Sequence, residues 1–148
     1  MSIKQITVAI DGYTGTLSDM AGVLEAKNAH IRALTIHESG SFKTARIIAD
    51  NVLWISSALW EAGFVANMSD VVAVKVSDEA GGLSKVLGVV ERSGAGIKYM
   101  YHVICRNENA SQEGISLLVF RPYDIEKAED VLKVEGIRVL SQGDLSAM

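Results

Sequence analysis

Two short turns hold the residues of this 148-residue chain best suited to binding chemistry: Asp78-Glu79-Ala80-Gly81-Gly82-Leu83, and Asp11-Gly12-Tyr13-Thr14-Gly15-Thr16-Leu17. Each lies between a strand-like and a helix-like segment. Backbone amides bared by Gly81 and Gly82 at a helix N-terminus present partial positive charge to a carboxylate, and the missing side chains allow close approach. Asp78 can accept from an ammonium group. The second turn therefore offers, within a few residues, both halves of what a zwitterion needs. The first turn matches less well, because Asp11 sits one place early and Tyr13 intrudes where a small residue would leave room. Gly15 and Gly81 are equally what a tight strand-to-helix turn requires without any ligand.

Other reactive side chains are isolated. His37 and His102 fall on strands with no acidic or cysteine partner at metal spacing, so no metal site is expected. Cys105, the single cysteine, excludes an intrachain disulfide and lacks a local base, so it reads as apolar filler. Nucleotide-binding glycine patterns, a nucleophile elbow and HExxH are absent, and the carboxylates are scattered as on solvated helix faces. The expectation is no enzyme and no cofactor. Fourteen basic against eighteen acidic residues give a net charge of −4 with no Lys/Arg cluster, which disfavours nucleic acid and anionic membranes. No apolar run reaches the ~18 residues of a membrane helix, and no signal-peptide pattern opens the chain. A cytoplasmic location is expected.

The elements that position the turns come in duplicate. Gly15-Thr16-Leu17-Ser18-Asp19-Met20-Ala21-Gly22-Val23-Leu24-Glu25 returns as Gly81-Gly82-Leu83-Ser84-Lys85-Val86-Leu87-Gly88-Val89-Val90-Glu91, an offset of 66 residues that Val8 and Val74, Ala29 and Ala95, and Ile31 and Ile97 also keep. Residues 1–69 and 70–148 are the expected domains. In the first, Ile6, Val8 and Ile10 alternate as a strand with one buried face, and Leu17, Met20, Ala21 and Leu24 share a helix face. Strands from Ile31 and over Thr44 to Ala49, a helix from Val52 to Glu61 and a short strand over Phe64 to Ala66 complete βαββαβ. Trp54 and Trp60, six apart on that helix, are read as core.

The second copy repeats the order. A strand over Val71 to Val76 precedes a helix from Gly82 to Arg92 with Leu83, Val86, Leu87 and Val90 inward. Strands over Ile97 to Cys105 and Gly114 to Arg121 follow, then a helix capped by Asp124, with Ile137 to Leu140 closing the unit. Two such units with helices on one sheet face make an α+β, ferredoxin-like arrangement in tandem. Ile115, Leu117 and Val119 alternate with Leu118 and Phe120, so both strand faces are apolar, and Tyr99 and Tyr101 oppose Met100 and Ile104 in phase. A second subunit is expected to cover the helix-free face, giving a homodimer or higher oligomer.

The duplicated turn, placed between strand and helix, resembles that of the ACT domain family: βαββαβ regulatory modules with a first turn like Asp-x-Pro-Gly-x-Leu and an Asn-Ile pair leading into the second strand. The resemblance spans roughly Ile3 to Leu145. Ala80 and Thr14 replace the proline, Gly12 the first polar residue, and His30 and Gly96 the Asn. It implies an amino acid bound between two units. The Asp78–Leu83 turn would meet His30 and Ile31 of the other copy, and the Asp11–Leu17 turn would face Gly96 and Ile97 in a weaker site. His30 is otherwise a solvated helix-end histidine. The implied function is a non-catalytic sensor that signals occupancy to a partner. The alternative is a ligand-independent protein–protein module, repressor-like or the regulatory subunit of an amino-acid biosynthetic enzyme.

Overall fold

A computed structural model describes residues 2–13, 15–76, 80–105 and 115–147. The strands are β1 (Ile3–Ile10), β2 (Ile31–Ser39), β3 (Phe42–Ala49), β4 (Val65–Val76), β5 (Tyr99–Cys105) and β6 (Ile115–Arg121). The helices are α1 (Leu17–Ala26), α2 (Val52–Glu61), α3 (Gly82–Ser93), α4 (Ile125–Val134) and α5 (Gln142–Ser146). They form two compact units, Lys4–Ser69 and Asp70–Met148 with Met1–Ile3. The architecture is α+β, two ferredoxin-like units in tandem.

In the first unit the strand order is β2-β3-β1-β4. Antiparallel pairing sets Ile6 opposite Ile47 and Val8 opposite Ala45, so the alternating apolar residues of both strands share one face. Met20 and Leu24 of α1 and Val52, Ile55 and Leu59 of α2 close over that face, burying Phe64 with them. The helices hold this face because their apolar residues recur at helical spacing, and burial of such side chains contributes roughly 1.5–3 kcal/mol each. Ala21, expected inward, is exposed.

In the second unit the order is β4-β6-β5. Val72, Val74 and Val76 of β4 and Leu118 and Phe120 of β6 pack with Val86, Val89 and Val90 of α3 and Ala128 and Leu132 of α4. Asp124 caps α4 as expected, its Oδ1 accepting from the Lys127 amide at 3.1 Å.

Four expectations are corrected. The short strand at Phe64 to Ala66 and the strand at Val71 to Val76 are one twelve-residue strand, because Asn67-Met68-Ser69-Asp70 contains no glycine or proline to end it. Ile137 to Leu140 is not a full strand: one bridge joins Val139 to Val74, and the Leu140 amide donates to the Ala73 carbonyl at 2.8 Å. The chain leaves the sheet there because Ser141 and Asp144 form a capping box that starts α5. Both tryptophans lie half-exposed, Trp54 under the Lys27 ammonium and Trp60 donating from Nε1 to the Ala66 carbonyl at 2.7 Å. Finally, Leu117 and Val119 are only 2% and 3% exposed in the single chain, so burying this face of β6 needs no second subunit.

Candidate functional site

The first turn forms an open pocket of about 390 Å³. Asp11, Gly12, Gly15, Thr16 and Leu17 line it together with Ile10, Ser18, Glu38, Ser41 and Lys43. The last three come from the β2–β3 hairpin, which the β1–β3 register places beside the turn by setting Lys43 opposite Ile10. Sequence reasoning missed them because only that register reveals the neighbourhood. Asp11 Oδ1 accepts from the Tyr13 amide at 2.8 Å, a local Asx turn. Tyr13 does not intrude: its side chain is 97% exposed, turned to solvent where no neighbour confines it. Gly15, at φ +143°, lies against Phe64, where an added Cβ would stand 2.7 Å from the ring.

Thr16 and Asp19 cap each other at this helix start. Thr16 accepts from the Asp19 amide at 3.2 Å, and Asp19 Oδ2 accepts from the Thr16 amide at 2.9 Å, a reciprocal capping box. The Thr16 amide, followed by the Thr16 hydroxyl, holds the Asp19 carboxyl below its ordinary 3.8. The Ser141 amide and hydroxyl, with Arg138 also contributing, do the same for Asp144. A folded-state pKa below the unfolded one adds stability that is present above the ordinary carboxylate range and lost as pH falls through the folded value. Carbon-13 titration should therefore place both carboxyls below 3.8, and Asp19→Ala should flatten the decline of stability in acid. An Asp19 midpoint at or above that value would remove the cap from this account.

The second turn differs at these same positions. The offset of 66 puts Gly82 where Thr16 stands and Lys85 where Asp19 stands, so the box cannot form. Gly81 is the N-cap of α3, at φ +94°, and has no side chain to accept from the first helical amides. A Cβ added there would meet nothing within 4 Å. Ala80 is exposed, Gly82 opens the helix, and Leu83 is turned outward, correcting the expectation that it faces the core. It is not part of the core that Val86, Val89 and Val90 fill. Asp78, Glu79 and Thr14 lie outside the described residues.

The positions just before β2 and β5 also differ. His30 is 66% exposed, and its Nδ1 stands 3.3 Å from Asp50 Oδ2. The same Asp50 carboxylate receives a forked contact from Arg32, at 3.0 Å from Nη2 and 3.4 Å from Nε. Ile31 packs against the first core. In the second unit Gly96, at φ +71°, lies beneath the Tyr123 ring, where a Cβ would come within 2.8 Å of Cδ2. Ile97 is partly exposed. Asp50, Arg32 and Tyr123 are residues that sequence reasoning did not single out.

Elsewhere in the second unit, Glu129, Asp130, Lys133 and residues 136–139 line an open groove of about 540 Å³. His102 Nε2 hydrogen-bonds Ser116 Oγ. Among the described residues no three His, Cys, Asp or Glu side chains group as a metal site, and no helix is long and apolar enough to cross a membrane.

The fold is similar to that of protein BT0572 from Bacteroides thetaiotaomicron, with a TM-score of 0.86 and 29% identity over 100% of this chain and 98% of that one. The regulatory subunit of aspartate kinase from Thermus thermophilus, in its ligand-free form, matches with a TM-score of 0.58 and 17% identity over 90% of each chain. The corresponding subunit from Thermus flavus matches with a TM-score of 0.55 and 18% identity, again over 90% of each. At those identities the two Thermus structures show a shared fold. No curated protein sequence matches the chain. The model of the ACT domain pair matches residues 1–148, and with the duplicated units and their strand-to-helix turns in view, the chain belongs to the ACT domain pair family.

Proposed function

We propose that this protein is a non-catalytic regulator that binds an amino acid and signals its occupancy to a partner. The observation that carries the reading is the difference between the two helix starts. The first is closed by its own Thr16–Asp19 box, whereas the second is opened by Gly81 and Gly82, which leave room at a helix N-terminus for a carboxylate. We assign the carboxylate to the Gly81–Leu83 amides and the ammonium to Asp78 and Glu79. The Asp11–Leu17 turn is the weaker position, since a ligand there would depend on Lys43 for its carboxylate. That the two Thermus proteins of similar fold are regulatory subunits of an enzyme supports a regulated partner.

A thermal-shift screen of the twenty common amino acids, followed by calorimetry, tests the reading. One or a few should raise the melting temperature and bind with a measurable heat. If none does, the second reading stands: a ligand-independent protein–protein module, favoured by the exposed Leu53 and the half-exposed Trp54 and Trp60 on α2.

Assembly is also part of this proposal. The homodimer face we assign is edge strand β2, where Leu34 and Ile36 are half-exposed together with Phe42 of β3. Ile36→Lys should shift the sedimentation coefficient to that of a monomer. A wild type that sediments as a monomer at every concentration would end this part.

A further inference from the structure

Helices α2 and α4 occupy matching places in the two units, α2 running from Val52 to Glu61 and α4 from Ile125 to Val134, an offset of 73 residues at each end. The turns that follow repeat the same hydrogen bonds. The Gly63 amide donates to the Trp60 carbonyl and the Phe64 amide to that of Leu59, each at 3.0 Å. Likewise the Gly136 amide donates to Lys133 at 3.1 Å and the Ile137 amide to Leu132 at 2.9 Å. Trp60 and Lys133 are therefore equivalent positions, and so are Ala66 and Val139. What stands there differs. In the first unit the Trp60 indole reaches from α2 to the strand, its Nε1 donating to the Ala66 carbonyl at 2.7 Å. In the second unit Lys133 is exposed, and the open groove of about 540 Å³ runs along α4 and residues 136–139.

The groove keeps the acceptor that the indole meets in the first unit. Val139 bridges Val74 in the antiparallel sense, and the Leu140 amide donates to the Ala73 carbonyl beside it. That flanking bond makes Val74 and Val139 a pair that exchanges no hydrogen bonds, so the Val139 amide and carbonyl point away from β4. Among the described residues neither makes a hydrogen bond. Ile137 and Val139, packed on one side against the second core, give the groove an apolar wall. Its rim is charged. Arg138 is engaged by Asp144 at 2.6 Å, whereas Asp130 and Lys133 of α4 make no ion pair among the described residues. The volume falls within the roughly 300–1,000 Å³ of small-molecule sites.

We propose that the α4 groove is a separate binding site for a small zwitterion carrying an indole ring, of which free tryptophan is the simplest. The ring lies against Ile137 and Val139 and donates its N–H to the Val139 carbonyl, as Trp60 does to Ala66. The ammonium meets Asp130 and the carboxylate meets Lys133. The first unit cannot take this ligand at the matching place, because its own Trp60 already holds the acceptor. The groove shares no residue with the Gly81–Leu83 amides, so the inference goes beyond the reading above and does not depend on it.

The probe is L-tryptophan, titrated into the full chain labelled with nitrogen-15 and followed through the backbone amide shifts. Shifts should fall on residues 129–139. Their absence there at millimolar tryptophan overturns the proposal. The methylated analogue 1-methyltryptophan, which lacks the ring N–H, should bind about tenfold more weakly, since the Val139 carbonyl is then covered without a donor. Equal affinity for the two would overturn the indole contact. Lys133→Trp supplies the second unit with its own indole at the place where Trp60 stands in the first, and should abolish the tryptophan shifts. Persistence of the same shifts in that variant would sink the site. Lys133→Gln, at an exposed position, keeps the groove open and should weaken tryptophan about tenfold while leaving free indole unaffected; an unchanged tryptophan affinity would overturn the role of Lys133. Gly81→Val separates this groove from the turn at α3. It should leave the shifts at residues 129–139 intact, and their loss in that variant would assign tryptophan to the turn and overturn the proposal.

Discussion

Gly15→Val is expected to destabilise the first unit by about 2–5 kcal/mol, through overpacking combined with the strain of a β-branched residue at positive φ. The added Cβ would stand 2.7 and 3.0 Å from two atoms of the Phe64 ring, and the backbone there is at φ +143°. Phe64 cannot swing away readily, because it is 2% exposed and packed in the core with β1, β3 and both helices. Interiors are dense enough that such an intrusion must displace backbone or create a void elsewhere. Both tryptophans of the chain lie on α2 in this unit, so their fluorescence during urea unfolding reports it selectively. A midpoint close to that of the wild type would show that the ring yields and that Gly15 is not required by packing.

Gly81→Val should act in the opposite manner, on binding more than on packing. Nothing lies within 4 Å of the position a Cβ would take, so the fold loses only what the backbone at φ +94° costs a branched residue, about 1–3 kcal/mol. The valine side chain would instead occupy the space in front of the α3 amides, where we place the ligand carboxylate. A ligand that binds the folded state alone stabilises it by about 2.7 kcal/mol at a hundredfold excess over its dissociation constant. For a chain of this length that corresponds to about 5–10 °C in melting temperature, and the variant should lose all of it. The unliganded melting temperature reports the backbone cost separately. An amino acid that binds Gly81→Val as tightly as the wild type would place the site elsewhere.

What the sequence determined by itself is local. The alternation of Ile6, Val8 and Ile10, the α2 limits at Val52 and Glu61 and the Asp124 cap all depend on residues within one or two turns of one another, and the repeat at 66 residues is the recurrence of such local patterns. Periods of 2 and 3.6 and the capping side chains are legible because strand pleat and helix pitch impose them on neighbours along the chain. The two turns were legible as well, since glycine at a strand-to-helix junction has a local cause.

Tertiary structure alone decided what depends on register and distant packing. Leu117 and Val119 looked like a subunit interface because alternation shows that a face is apolar but not what covers it, and the single chain already buries them. Leu83 kept helical spacing yet turned outward, since spacing along a helix does not show where its packed surface ends. Lys43 came beside the first turn only through the pairing of β1 with β3. Arg32 and Asp50 met across eighteen residues, with His30 beside them, and Tyr123 closed over Gly96. The physical reason is that pleat and pitch constrain only near neighbours, whereas partners this far apart are chosen by the packing of whole elements, whose energy is spread over residues that no short window contains.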